Sequence, residues 1–280
     1  MKERTILVTG STDGIGRATA ARLARQGHFV VIHGRDTAKG RAVLQEIGQH
    51  AGSGRLGLAI ADLSVRAEVR RLASDIAERY GSLDVLVNNA GVYLPTRRLT
   101  PDGFETTLAV NYLAPFLLTH DLLPLLSENA PSRIVSVASI AHRSVRSFDR
   151  RRFVEGQPYD GYEAYALSKL GIVAFTYRLA SGIGGSGVTA NCLHPGVIDT
   201  KLLRAFPGGY SGEPPERGGE RVARLAASPD VDGVTGTYYE GMEPVASSRA
   251  SYDPAVQEQY WQIGTSLAGA SDWPRMHRGI

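Results

Sequence analysis

The chain has 280 residues, 42% hydrophobic and 21% charged, a balance that fits an ordinary globular protein and excludes a disordered or collagen-like one. Its net charge of +3 is spread along the chain except for a cluster at 143–152, so nucleic acid is not an expected partner. One cysteine, Cys192, excludes an internal disulfide framework, no apolar run approaches the roughly 18–20 residues that cross a bilayer, and a strand pattern already begins at Thr5; the expectation is a cytoplasmic chain without leader or membrane anchor.

Taken in order, short apolar runs alternate with helical patterns. Strands are expected at 5–8, 29–32, 56–60, 83–87, 133–137, 188–193 and 237–240. Helices are expected at 15–26, 38–49, 65–80, 104–126, 162–183 and 254–267. Residues 141–161 and the Gly/Pro-rich 206–219 read as irregular, the second as a surface loop or a lid. Such alternation predicts βαβ units: one α/β domain over 1–280 of the Rossmann-type, doubly wound class, with about seven parallel strands and helices on both faces. The phosphate-binding half spans about 1–130, and the catalytic and substrate half about 131–280.

Two stretches point to chemistry. Between the first strand and first helix lies Thr9-Gly10-Ser11-Thr12-Asp13-Gly14-Ile15-Gly16. Its glycines let the backbone turn tightly and approach a ligand, and the helix start offers free N–H groups to a pyrophosphate. Further on, Tyr165 and Lys169 are four residues apart on an expected helix and therefore share a face. A cation held near the phenol favours its ionised form and is expected to bring the hydroxyl closer to a working pH.

The TGxxxGxG spacing, together with Tyr165 and Lys169, resembles the short-chain dehydrogenase/reductase family, over about 5–240. Asp62-Leu63 matches the family's adenine-contacting acid after the third strand. Asn88-Asn89-Ala90-Gly91 matches its NNAG motif, and Pro195-Gly196-Val197-Ile198-Asp199-Thr200 its PGxxxT segment. Asn111, Ser139, Tyr165 and Lys169 match its catalytic tetrad. Val110-Asn111-Tyr112-Leu113-Ala114-Pro115-Phe116 and Leu193-His194-Pro195-Gly196 are most similar to the retinol-dehydrogenase-like and WW-domain-oxidoreductase-like branch.

The resemblance implies an oxidoreductase that moves a hydride between a nicotinamide and a carbonyl or alcohol carbon, with Tyr165 passing the proton. Ser139 would bond the reacting oxygen, and Lys169 would lower the Tyr165 pKa and bond the nicotinamide ribose. Cofactor contacts are expected from Gly10, Ser11, Thr12, Asp13, Gly14, Ile15, Gly16, Arg35, Asp62, Leu63, Asn89, Ala90, Gly91, Tyr165, Lys169, Pro195, Gly196, Ile198 and Thr200. NAD-preferring relatives place an acid just past the second strand; here Gly34 stands there and Arg35 follows, so NADP(H) is expected over NAD(H). Asp13 and Asp36 weigh against that choice, because some NADP-binding relatives carry a base at the position of Asp13.

Pro115 has no N–H for the Asn111 carbonyl, so a kink is expected in the 104–126 helix that helps expose this acceptor; the resemblance implies that a main-chain carbonyl at Asn111 holds a water relaying protons to Lys169. The substrate is expected to be a small, fairly apolar carbonyl or alcohol, walled by Tyr93, Leu94, Leu202, Leu203 and Phe206. His194 and Cys192 read as packing residues and 143–152 as a solvated loop. No histidine spacing suggests a metal. The alternatives are an epimerase or dehydratase of the extended relatives, and a non-enzymatic NADP(H)-binding sensor or scaffold. A homodimer through the helices at 104–126 and 162–183 is also open.

Overall fold

The computed structural model describes residues 3–51, 56–155, 158–271 and 273. Eight strands form one sheet in the order β3-β2-β1-β4-β5-β6-β7-β8. They are β1 (Thr5–Val8), β2 (Phe29–Gly34), β3 (Leu56–Ile60), β4 (Val85–Asn88), β5 (Ser132–Val137), β6 (Val188–His194), β7 (Tyr238–Glu240) and β8 (Glu243–Pro244). The first seven run parallel, and the two-residue β8 closes the edge antiparallel to β7. The seven expected strands are therefore present, with one short addition.

Both faces of the sheet are covered, which is why its strands read as unbroken apolar runs. Leu7, Val31, Leu86, Ile134 and Ala190 pack under α3 (Arg66–Tyr80), α5 (Ala114–Glu128), α7 (Gly161–Gly182) and α11 (Pro254–Ala268). Their neighbours Ile6, Val8, Val30, Ile32, Val85, Val87 and Val135 pack on the other side, with α1 (Gly14–Arg25), α2 (Thr37–Ala51) and α9 (Pro215–Ala227). The order reverses between β1 and β4, and the crevice beyond the carboxyl ends of the strands at such a reversal is where ligands bind in doubly wound sheets.

Four expectations need correction. The helix expected over 104–126 is not continuous: α4 (Thr106–Leu108) passes through a π-helical turn, Ala109–Leu113, into α5. The Ala109 N–H bonds four residues back to Glu105, whereas the Ala114 N–H bonds five back to Ala109. An extra residue is thus accommodated just before Pro115, and the irregularity is a π bulge rather than a simple proline kink. The segment 206–219 is only partly irregular, since α9 begins at Pro215. Gly218 and Gly219 concealed this helix because glycine lowers helix propensity. Packing requires them: a Cβ at Gly219 would lie 2.7 Å from the Ala18 backbone.

The third correction concerns 141–161, which holds a 3₁₀ turn, Ile140–Ser144, and α6 (Arg150–Glu155). Its arginines are largely exposed, as expected for a solvated stretch, but Arg143 bonds Glu240 and Arg152 pairs with Glu163 at 2.7 Å. Fourth, one helical run, Thr106–Glu128, is long and apolar enough to cross a membrane by length and composition, yet its most apolar window is 78% buried inside the fold. Most of the polar tail after α11 lies outside the described residues. The remaining short helices are α8 (Lys201–Arg204) and α10 (Arg249–Tyr252).

Candidate active site

The glycine turn between β1 and α1 is held from behind. Thr9 accepts the backbone N–H groups of Asn89 and Ala90 at 2.9 and 3.1 Å, and Asn89 donates its amide to the Thr9 carbonyl at 2.8 Å. The glycines serve chain-to-chain approach as much as ligand approach. Gly10 has φ +63° and a Cβ there would lie 2.9 Å from Ala90; a Cβ on Gly16 would lie 2.4 Å from both Asn89 Nδ2 and the Gly10 carbonyl. Ser11 was expected to contact the cofactor, but its side chain is fully buried and bonds the Val8 carbonyl at 2.7 Å and the His33 N–H at 2.9 Å. It shapes the turn from inside.

Asp13 caps α1 by accepting the Gly14 N–H at 2.9 Å. It also pairs with Lys39 and Lys201, both at 2.9 Å, and despite partial burial these partners hold its carboxyl well below the usual range. Arg35, by contrast, is exposed at the cleft and makes no side-chain bond among the described residues. Gly34 sits under Thr12, whose methyl would be 2.5 Å from a Cβ placed there. His33, absent from the expected site, accepts the Gly10 N–H at 3.1 Å on Nδ1 and meets the Ala61 carbonyl at 3.2 Å through Nε2. Burial pushes it down to about 4, so it is neutral at ordinary pH.

Gly10, Thr12, Asp13, His33, Gly34 and Arg35 open onto one cleft of about 680 Å3 at the carboxyl ends of the strands. Of the expected cofactor residues, Gly10, Thr12, Asp13, Gly14, Ile15, Gly16, Arg35, Asp62, Leu63, Asn89, Ala90, Gly91, Pro195, Gly196, Ile198 and Thr200 line it, and Ser11 does not. Ser139, Tyr165 and Lys169 line the same cleft.

Tyr165 and Lys169 are both buried on α7. The ammonium lies 5.6 Å from the centre of the Tyr165 ring and donates to the Val137 carbonyl at 2.8 Å. Burial pushes the Tyr165 phenol up to about 12, with a hydrogen bond to Ser139 pulling the other way. This corrects the expectation that the lysine would bring the phenol towards neutrality: desolvation of the phenolate dominates. The same burial brings Lys169 down to about 8.

Asn111 lies behind this group, at the centre of the π turn. Its side chain accepts the Val92 N–H at 2.8 Å and donates to the Val92 carbonyl at 2.9 Å and to Ser168 at 3.0 Å. It therefore fastens the chain after β4 to α7, a role the motif alone does not reveal.

The outer wall is aromatic. Phe206 stacks on Tyr93 with centroids 3.9 Å apart and stands edge-on to Tyr165 at 5.1 Å. Leu202, Leu203, Val92, Tyr162, Val197 and Tyr210 also border the cleft, whereas the Leu94 carbonyl is taken by the Tyr159 hydroxyl at 2.9 Å. Tyr162 and Tyr210 were not singled out from sequence, because only the closing of 200–210 over α7 brings them to the site. His194 also borders the cleft, and burial pushes it down to about 4.

Comparisons with known proteins agree with this arrangement. A family model described as short chain dehydrogenase matches residues 4–208. Polyprenol dehydrogenase of Mus musculus is 39% identical over 286 residues, covering 95% of this chain and 84% of that protein. Retinol dehydrogenase 13 of Mus musculus is 34% identical over 280 residues, covering 95% and 84%. A short chain dehydrogenase from Burkholderia cenocepacia, crystallised in complex with NADP, superposes with a TM-score of 0.70 at 31% identity, covering 85% of this chain and 95% of its own. With a sheet, a glycine turn and a cleft of this kind, the chain belongs to the short-chain dehydrogenase family, in its retinol-dehydrogenase-like branch.

Proposed function

We propose that this oxidoreductase uses NADP(H) in preference to NAD(H), that its substrate is a fairly apolar carbonyl or alcohol, and that Tyr165 is the general acid and base. The observation that carries this reading is the meeting of Ser139, Tyr165 and Lys169 in one cleft with the glycine turn.

The residues present suit a dinucleotide. The α1 N-terminus offers backbone N–H groups beside a turn free of side chains at Gly10, Gly14 and Gly16, and Asp62 and Leu63 border the place for an adenosine. Arg35, at the end of β2 and without a side-chain partner among the described residues, is suited to charge-assisted bonds with a 2′-phosphate. A carboxylate at position 34, which would repel that phosphate, has no room beneath Thr12. When bound, the nicotinamide accepts or supplies the hydride.

The chain's own groups manage the proton. With its phenol pushed up to about 12, Tyr165 stays protonated at neutral pH and can donate to the oxygen of a carbonyl being reduced. Ser139 adds a second hydrogen bond to that oxygen as charge develops on it. Lys169, cationic below about pH 8, stabilises the phenolate left behind and offers donors towards a ribose. The Asn111 carbonyl, opposite a proline nitrogen with no hydrogen, is our acceptor for a water that refills the proton. Phe206, which stacks on the buried Tyr93, and Leu202 and Leu203 favour an apolar substituent on the substrate, and Tyr165 makes the reductive direction the natural one at neutral pH.

The test is turnover of decanal, geranial and acetophenone, and of the matching alcohols, with NADP(H) and NAD(H), for the native chain and Tyr165→Phe. The reading expects NADPH-linked reduction that the substitution removes while NADPH still binds. Turnover unaffected by Tyr165→Phe would refute it.

A further inference from the structure

We infer that His142 is a positioning residue for Ser139, and that the strap from Ala246 to Tyr252 acts on the catalytic hydroxyl through it. Neither belongs to the motifs that mark the family, and the strap lies beyond the matched residues 4–208.

The argument starts from hydrogen-bond direction. His142 is fully buried in the 3₁₀ turn that begins after Ser139. Its Nε2 faces the Ser248 N–H at 3.0 Å, and its Nδ1 faces the Ser139 carbonyl at 2.7 Å. A backbone N–H can only donate, so Nε2 must accept, and the proton of the neutral ring then sits on Nδ1. That tautomer donates to the Ser139 carbonyl. The opposite tautomer would set a lone pair against the carbonyl and an N–H against an N–H. The ring also meets Tyr238 edge-on at 4.9 Å, which limits its swing.

At its other end, Ser139 accepts the Ala141 N–H on Oγ at 3.2 Å. The Ser139 carbonyl thus takes the shorter bond from the His142 ring and a longer one, at 3.2 Å, from the His142 backbone N–H, while the hydroxyl proton is left to face the cleft where Tyr165 lies. The strap is itself well anchored. Ser247 bonds Tyr177 at 2.7 Å and Ser251 at 2.6 Å, and Arg143 holds the Ala246 carbonyl at 2.5 Å. It is a rigid support from which the Ser248 N–H sets the imidazole.

The inference rests on Ser139 being the hydroxyl that meets the reacting oxygen, and the experiment separates the two. Ser248 has φ −68°, the value proline imposes, and its hydroxyl has no partner among the described residues. Ser248→Pro therefore deletes the one N–H that selects the tautomer. His142→Asn keeps a donor near the position of Nδ1, whereas His142→Phe keeps bulk and loses both bonds. Each is measured for kcat on the fastest of decanal, geranial and acetophenone and for NADPH affinity, and the native chain and Ser248→Pro are compared by ¹⁵N NMR of the His142 imidazole.

The expected result is a kcat lowered roughly tenfold or more in Ser248→Pro and His142→Phe, since small misplacements of a reacting group carry penalties of this order. NADPH affinity should stay within about twofold, and His142→Asn should recover most of the rate. The native spectrum should show the proton on Nδ1, and Ser248→Pro a mixture of tautomers. A proton on Nε2 in the native chain, or folded variants with native kcat, overturns the inference. Should Ser248→Pro fail to fold, the Asn and Phe pair decides alone. Native turnover in Ser139→Ala would instead remove the reading of the site on which the inference rests.

Discussion

The two halves of the cleft are built differently. On the side of β1, β2 and β4, the surface facing a ligand is mostly backbone, held by neighbours close in the fold: Thr9, Asn89, His33 and three glycines whose missing Cβ atoms let one segment lie against another. On the side of β5, α7 and β6, it is made of side chains from remote segments, with Tyr165 and Phe206 bordering the cleft and Tyr93 stacked on Phe206 from more than a hundred residues away. A backbone surface tolerates little change and suits a constant ligand. A side-chain surface can be altered residue by residue and suits a variable one. The cofactor side should therefore fail as a unit, and the substrate side by degrees.

The largest effect should come from the chemistry itself. Tyr165→Phe is expected to lower turnover by roughly 10²–10⁴-fold, the usual range for losing a general acid, while NADPH affinity, read by fluorescence titration, stays near native. Next is the cofactor side. Arg35→Ala should weaken NADPH roughly ten- to a hundredfold, the scale of one charge-assisted contact, and hardly change NADH; equal losses would remove Arg35 as the phosphate contact. Gly34→Asp alone should impair both cofactors, because the new Cβ strikes Thr12. Adding Thr12→Gly should restore NADH more than NADPH. On the substrate side, Phe206→Ala should raise KM only about three- to tenfold, as one aromatic contact is lost.

Acid should act on both sides of the cleft, since burial pushes His33 and His194 alike down to about 4, and His33 carries the share of the cofactor side. His33 has a folded-state value of about 4, below its ordinary 6.5, so acid favours the unfolded chain, which takes up the proton more readily. This contribution to stability is complete above about pH 6.5 and is lost as the pH falls towards 4. For a group so fully buried it amounts to something on the order of 3 kcal/mol. Urea midpoints at pH 7 and pH 5 should fall in the native chain and fall less in His33→Gln. In the opposite direction, reductive kcat/KM should decline as the pH rises through about 8, where Lys169 loses its charge.

How far the site could be read from sequence follows the same division. Gly10, Gly14, Gly16, Asn89, Tyr165 and Lys169 stand in short spacings that a turn or one face of a helix enforces locally, and they line the cleft with Asn89 also bracing the turn. Ser11 stands in the same spacing yet faces inwards, because the turn after β1 folds its hydroxyl back onto the Val8 carbonyl and the His33 N–H. His33, His142 and Tyr162 carried no signal, since their roles exist only through partners 23, 106 and 44 residues away. The helix α9 escaped notice for a related reason: its two glycines weaken the helical pattern, and their use appears only against α1.

Sequence by itself determined the strands, their parallel sense and the glycine turn, because apolar periodicity and backbone stereochemistry act over a few residues whatever surrounds them. Tertiary structure decided the protonation states of Tyr165 and Lys169, the inward turn of Ser11, the π bulge at Asn111 and the imidazole tautomer behind Ser139. Desolvation and hydrogen-bond direction depend on which distant atoms close around a group, and that is settled only when the whole chain has packed.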